Sequence, residues 1–140
     1  MRLSHKLSDR TAQNIYYVLP RIAGISLFAP INIVQGIYAK HYGLALTTIA
    51  SVILFARLFD AVTDPIIGYL SDRAYLKSGT RKPFMAVGVV VMIFSGYFLY
   101  SPSGNVTSVY FALWFMAFYL GFTLFEIPHM AWASELAPKT

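Results

Sequence analysis

The stretch Leu44–Leu70, which reads LALTTIASVILFARLFDAVTDPIIGYL, decides the fold class of this chain. Most of its residues are apolar, and a helix of about 20 such residues is long enough to cross a bilayer. Its second half nevertheless carries Arg57, Asp60 and Asp64. A charge at membrane depth costs roughly 2.5–3.5 kcal/mol on insertion scales, so charges there usually serve a function. The stretch therefore predicts a membrane helix that carries a polar site.

The spacing of these three charges indicates what kind of site it is. They stand at positions i, i+3 and i+7, which places them on one stripe of a helix. One guanidinium and two carboxylates leave about one negative charge, which suits a single small cation. Asp60 and Asp64 can bind that cation through oxygen or share a proton, and Thr63 can add a hydroxyl oxygen. The alternative is an internal network of Arg57 with the two aspartates that only joins helices.

The composition supports a membrane protein. The chain is 57% hydrophobic and only 12% charged, whereas soluble proteins carry about 25% charged residues. Its net charge is +5, but the basic residues lie in short segments between apolar runs, so we expect no nucleic-acid partner. The chain has no cysteine, which excludes disulfides and thiolate metal sites. Because no nucleophile–base set or nucleotide-binding loop is present, we expect neither an enzyme nor a cofactor other than a coupling ion.

Four apolar segments are separated by polar turns. They predict an all-α membrane protein with transmembrane helices at about 22–39, 44–70, 84–100 and 109–133, after a cytoplasmic segment at 1–14. Nine basic residues fall on one side of these helices: Arg2, Lys6, Arg10, Arg21, Arg73, Lys77, Arg81, Lys82 and Lys139. Only Lys40 falls on the other side. The positive-inside rule therefore predicts a multi-pass protein of the plasma (inner) membrane, with both ends of this chain in the cytoplasm.

A charged pattern follows the second segment. Gly68 is followed by Asp72-Arg73, and later by Arg81-Lys82 at the entry to the third helix. This resembles the G-x-x-x-D-R…R-R/K signature of the major facilitator superfamily, which lies between its second and third helices. A glycine allows close helix contact, and Asp72 at a helix C-terminus needs basic partners. We interpret these five residues as a gating cluster; the alternative is an ordinary positive-inside loop.

Three motifs together support a narrower resemblance. The stretches RLFDAVTDPIIG at 57–68, GTRKP at 79–83 and EIPHMAW at 126–132 are similar to those of the glycoside–pentoside–hexuronide:cation symporters, the melibiose-permease type. The resemblance implies a twelve-helix transporter built from two six-helix halves, of which this chain is the first four helices. Its expected partners are a small-molecule solute, membrane lipid and the remaining C-terminal helices of the same transporter.

The resemblance also assigns roles to residues. It places Asp60, Asp64, Thr63 and Thr123 at the coupling ion, and Glu126 at the solute. From their similar depth in helices two and four, we expect the three acids to converge in one cavity. Glu126 could instead pair with a basic residue such as Arg57. Further candidates are Arg57 and Trp132 for the solute, the latter alternatively an interfacial anchor, and His129 as a proton relay or a packed side chain.

The chain departs from the sugar permeases in its first helix. The acid that binds glycoside hydroxyls in that family is replaced by Gly24, and the polar residues available there are Ser26, Asn32, Gln35 and Tyr38. We therefore expect a secondary symporter coupled to Na⁺ or H⁺, for a sugar or glycoside-like solute. Two alternatives stay open: a lysophospholipid-type symporter of the same fold, and a stand-alone four-helix structural or pore-forming membrane protein.

Overall fold

A computed structural model describes residues 15 and 17–136, with side chains described as far as Trp132. The predicted cytoplasmic segment at 1–14, with its three basic residues, lies outside the described part, as does Lys139. All regular structure in the described part is helical, in five helices: α1 at 17–28, α2 at Ile31–His41, α3 at Leu46–Ser78, α4 at Lys82–Tyr100 and α5 at Ser108–Leu136. The predicted all-α class is confirmed.

Helices α1 and α2 together form the first of four spans that are long and apolar enough to cross a membrane. They are separated at Ala29 and Pro30 because proline lacks an N–H and clashes with the preceding turn. The Pro30 carbonyl accepts hydrogen bonds from the amides of Ile33 and Val34, which starts α2. The Tyr100 hydroxyl donates to the Leu27 carbonyl at 2.6 Å, so α4 supports the chain next to the break.

Helix α3 continues eight residues past the predicted end of the second segment, as far as Ser78. Residues 71–78 contain no proline or glycine, so the helix does not stop where the apolar run ends. It ends at Gly79, whose left-handed backbone (φ 69°) lets its N–H donate to the Tyr75 carbonyl at 2.7 Å. Asp72 and Arg73, expected in a loop, therefore lie on the last turns of α3.

Helix α5 lies at the centre of the bundle and packs against both α4 and α3. Its closest contact is with α4, where Gly88 and Gly121 bring the two backbones together. At the opposite end, the hydroxyls of Tyr38 and Tyr110 donate to the carbonyls of Leu99 and Phe98, at 3.0 and 2.7 Å. These carbonyls lie in the last turn of α4, where no helical N–H remains to bind them.

An aromatic column joins the first span to α5. The Phe28 ring contacts those of Tyr119 and Phe122, with centroids 5.2 and 4.3 Å apart. Phe111 and Phe115 continue the column along α5, and both are fully buried. Large rigid rings supply most of the packing in this part of the core. The column holds α1 against α5 and places Phe28 beside the polar residues of α3.

Candidate cation and solute site

A cavity of about 340 Å³ opens between α1, α3 and α5. Pockets of this size are at the small end of the range for small-molecule sites. Ten residues line it: Phe28, Arg57, Asp60, Asp64, Tyr119, Phe122, Thr123, Glu126, Ile127 and Met130. Its wall therefore combines three carboxylates and one guanidinium with aromatic and aliphatic surface, a mixture suited to a polar solute with an apolar face.

Five of the residues singled out in the sequence meet at this cavity. Arg57, Asp60 and Asp64 come from α3, and Thr123 and Glu126 come from α5. Both helices run in the same direction, because α4 returns the chain between them. Asp64 and Glu126 each stand 18 residues after the first residue of their helix, Leu46 or Ser108. Similar depth along parallel helices is why their side chains reach the same space.

Asp60 has the most buried of the three carboxylates at the cavity. Its Oδ2 lies 3.8 Å from an Arg57 Nη, a distance too long for a strong hydrogen bond. Its Oδ1 is buried and has no hydrogen-bond partner in the described structure. A buried carboxylate oxygen without a partner is costly, and a bound cation or a proton would remove that cost.

The acids surround the cavity instead of meeting at one point. Within the described residues, no group of three histidine, aspartate or glutamate side chains is close enough to hold one metal ion. The expected convergence is thus a shared cavity wall. A cation near Asp60 and Asp64 would need further oxygen ligands. Thr123 is a candidate, because it is buried and lines the same cavity.

Arg57 extends over the cavity from α3. Its side chain is 62% exposed, and its Nη2 donates a long hydrogen bond of 3.5 Å to the Tyr119 hydroxyl. The guanidinium carbon also lies 5.1 Å from the centre of the Tyr119 ring, within the range of a cation–π contact. The contacts of Arg57 with Asp60 and with Tyr119 are both long. Arginine has five N–H donors, so most of those of Arg57 are available to other partners on its exposed side.

Glu126 is paired with Arg21 and not with Arg57. An Nη of Arg21 lies 2.9 Å from its Oε1, which is the distance of a charge-assisted hydrogen bond. In the sequence, Arg21 stands only among the basic residues that precede or open the first apolar segment. The structure places it four residues into the first span, on α1, with its charge directed to α5. Arg21 is therefore a site residue that the sequence did not reveal.

Two predicted site residues do not reach the cavity. The Thr63 hydroxyl donates to the Phe59 carbonyl of its own helix at 3.0 Å, and Thr63 is absent from the cavity wall. Trp132 lies beside Tyr17 and His129, with ring centroids 5.9 and 6.2 Å away. Met130 lies one turn after Glu126 and therefore lines the cavity wall. Because a helix turns by about 100° per residue, Trp132 lies on another face of α5.

His129 is packed at the interface of α1 and α5. It is fully buried and stacks between the rings of Tyr17 and Phe125, with centroids 4.3 and 5.3 Å away. Its Nε2 lies 3.0 Å from the Tyr17 carbonyl oxygen, to which it donates in the matching tautomer. This is the packed alternative of the two that the sequence left open.

The position of the missing acid in the first span is occupied by an aromatic ring. A β-carbon on Gly24 would come within 2.9 Å of the Phe125 ring, so a larger side chain there would displace it. None of the residues Ser26, Asn32, Gln35 and Tyr38 lines the cavity in its place. The first span contributes Phe28 to the wall and Arg21 behind Glu126.

Five wall residues were not identified from the sequence: Phe28, Tyr119, Phe122, Ile127 and Met130. Four of them could have been found, because Tyr119, Phe122, Ile127 and Met130 lie within two turns of Glu126 on or beside its face of α5. Phe28 carried no such signal. Its place depends on the break at Ala29 and Pro30 and on the aromatic contacts with α5.

The predicted gating cluster is partly assembled. The Arg81 guanidinium donates to Asp72 at 2.7 Å and lies 4.3 Å from the centre of the Tyr75 ring, which joins the end of α3 to the start of α4. Gly68 faces Ile127 of α5, where a β-carbon would make ordinary contact at 3.8 Å. Arg73 and Lys82 are both exposed. A role of these residues in gating stays a prediction.

The comparisons with known proteins agree with this arrangement of helices and charges. The family described as MFS/sugar transport protein matches residues 13–140. The chain belongs to that family, a branch of the major facilitator superfamily whose members are transporters and not enzymes. The predicted class, the first helices of a major-facilitator fold resembling the glycoside–pentoside–hexuronide:cation symporters, is confirmed. The chain is part of a multi-pass membrane protein.

Several curated proteins are similar to the chain. An uncharacterized symporter of Synechocystis is 31% identical over 67% of this chain and 19% of its own length. A putative glycoside/cation symporter of Escherichia coli is 29% identical over 67% of this chain and 21% of its own length. A sucrose transport protein of Oryza sativa is 37% identical over 51% of this chain and 12% of its own length. The chain thus spans about a fifth of the first relatives' length. No solved structure matches it significantly.

Proposed function

We propose that this chain is part of a cation-coupled symporter that carries a sugar or glycoside-like solute across the membrane. The observation that supports it most is the cavity wall, where Asp60 and Asp64 face Thr123 and Glu126 across α3 and α5. Ionisable residues at membrane depth typically mark the path of an ion or a substrate. The names of two relatives, a glycoside/cation symporter and a sucrose transport protein, favour the same solute class.

The coupling ion is Na⁺ or H⁺ in this proposal, and it binds at the Asp60 end of the cavity. The buried Oδ1 of Asp60 is available to a cation or a proton, and Asp64 stands one turn further along the same stripe. Binding of one positive charge there compensates the excess negative charge of the stripe. The solute lies beside Glu126, against the Phe28 and Phe122 rings that line the cavity.

Transport then follows the alternating-access scheme of secondary transporters, in which two halves of the protein rock about a central site. Because each ligand improves the binding of the other, the cation gradient drives solute uptake through a coupling free energy. In this proposal the chain lies in the plasma (inner) membrane, with both of its ends in the cytoplasm.

The test is uptake by the complete transporter in membrane vesicles, with an imposed Na⁺ gradient or an imposed pH gradient. One of the two gradients is expected to drive accumulation of a radiolabelled sugar or glycoside. Asp60→Asn and Asp64→Asn are expected to abolish accumulation, because each removes a charge that the cation compensates. Lys40→Gln, a charge change in the last turn of α2 at a residue that does not line the cavity, is the matched control. Concentrative uptake with normal ion dependence in both aspartate variants would disprove the proposal.

A further inference from the structure

The Arg21–Glu126 ion pair has a consequence for the charge of the cavity. Arg21 compensates Glu126 at 2.9 Å, so this pair adds no net charge to the cavity. On α3, Arg57 compensates one of the two aspartates, which leaves one negative charge for the coupling cation. Among the described residues, the cavity is therefore neutral once a monovalent cation has bound.

We propose that Arg21 is a specificity-determining residue, whose pairing with Glu126 makes the cavity select uncharged solutes over anionic ones of the same size. This inference rests on the proposed function and adds to it a charge class for the solute. A carboxylate brought to the Glu126 end would be placed beside a carboxylate, since the Arg21 charge is already used in the pair. An uncharged polyol brings no charge of its own and can donate a hydrogen bond to Glu126, which lines the cavity.

The surroundings of the pair support a recognition role. The Arg21 and Glu126 side chains retain 34% and 23% of their exposed surface, so neither is sealed inside the bundle. The Glu126 carboxylate lines the cavity, beside Thr123 and Met130. The Phe125 ring packs against Gly24, one turn after Arg21, which holds this part of α1 close to α5.

The inference is tested with two probes of equal size that differ by one carboxylate: phenyl β-glucoside and phenyl β-glucuronide. Their binding to the purified complete transporter is measured by calorimetry at a saturating concentration of the coupling cation. The wild-type protein is expected to prefer the glucoside. Glu126→Gln releases Arg21 and is expected to shift the preference toward the glucuronide by roughly tenfold, the worth of one charge-assisted hydrogen bond.

Three further variants complete the charge comparison. Arg21→Gln leaves Glu126 uncompensated and is expected to exclude the glucuronide more strongly than wild type does. The double variant Arg21→Gln/Glu126→Gln is again neutral and is expected to return the ratio of the two affinities toward the wild-type value. Lys40→Gln removes a positive charge from the last turn of α2, at a residue that does not line the cavity, and is expected to leave the ratio unchanged.

A pair that only joins α1 to α5 would behave differently. All three site variants would then weaken both probes alike, or lower the thermal stability, with no change in the ratio, and that result overturns the inference. Arg21→Lys keeps the charge and retains the ratio if the inference holds, even where stability falls. A wild-type protein that binds neither probe, or prefers the glucuronide, also overturns it. Failure of the proposed function is distinct, because it appears as an absence of cation-driven uptake in wild type.

Discussion

Gly88 of α4 and Gly121 of α5 face each other with almost no space between their backbones. A β-carbon on Gly88 would lie 2.8 Å from the Gly121 carbonyl oxygen, and one on Gly121 would lie 3.0 Å from the Gly88 carbonyl oxygen. Small residues allow membrane helices to approach in this way and gain dispersion contacts. The contact fixes α5, and through α5 it fixes the cavity wall that carries Thr123 and Glu126.

Gly88→Ala and Gly121→Ala are each expected to lower the stability of the bundle. Overpacking a close contact typically costs about 1–3 kcal/mol, and here the obstacles are backbone atoms that cannot rotate away. Gly36→Ala is the matched control, because a β-carbon there would have nothing within 4 Å and alanine favours a helix by about 0.5–1 kcal/mol. Thermal unfolding in detergent measures all three. A Gly88→Ala melting temperature equal to that of Gly36→Ala would contradict the packing described.

Thr63 and Thr123 are expected to differ in their effect on ion affinity. Thr123 lines the cavity, whereas the Thr63 hydroxyl is bonded to the Phe59 carbonyl. Thr123→Ala should raise the cation concentration for half-maximal uptake by roughly tenfold, the effect of one lost ligand of about 1.5 kcal/mol. Thr63→Ala should leave it nearly unchanged. A larger effect of Thr63→Ala than of Thr123→Ala would contradict this prediction. It would support Thr63 as a ligand of the coupling ion, as the family resemblance implies.

Three tyrosine hydroxyls are expected to stabilise the ends of the helices. Tyr38, Tyr100 and Tyr110 donate to backbone carbonyls of neighbouring helices at 3.0, 2.6 and 2.7 Å. Each Tyr→Phe change should cost about 0.6 kcal/mol, and up to about 1.7, as measured for hydrogen bonds in membrane bundles. Tyr97→Phe is the control, because its ring is 66% exposed. Equal unfolding temperatures for all four variants would show that these bonds contribute nothing.

The orientation predicted from the basic residues can be tested by labelling. The 140 residues contain no cysteine, so a single introduced cysteine gives an unambiguous signal from this segment. A membrane-impermeant maleimide added outside intact cells should label a cysteine at Lys40 and not one at Lys77. The physical reason is the retention of basic loops on the cytoplasmic side during insertion. Labelling at Lys77 but not at Lys40 would invert the proposed topology.

The stripe of charged residues on α3 could be predicted from the sequence because it depends on one helix alone. The spacing of Arg57, Asp60 and Asp64 places them on one face in any α-helix, and the apolar residues around them place that helix in the membrane. The match in depth with Glu126 also followed from counting residues along two parallel helices. These features are local or nearly so, and the structure keeps them.

The partners of these charges could not be predicted in the same way. The family resemblance places Glu126 at the solute, with a basic residue such as Arg57 as its alternative partner. In the sequence, Arg21 stands only among the charges that flank the first segment. Which guanidinium reaches Glu126 depends on the rotation of α1 against α5, which is set by the Phe28 ring contacts and the Gly24 contact with Phe125. Thr63 and Trp132 missed the cavity for a similar reason, since a rotation of about 100° per residue separates neighbours on a helix.

Membrane-crossing helices with acidic residues at depth can be inferred from the sequence, because hydrophobicity and helical spacing are properties of each segment. The packing of the helices sets which of those residues share a cavity and which guanidinium each carboxylate contacts. These partnerships depend on the distance and the rotation between neighbouring helices. Contacts such as Gly88 with Gly121 set the distance, and the two residues lie too far apart in the sequence for a local pattern to pair them.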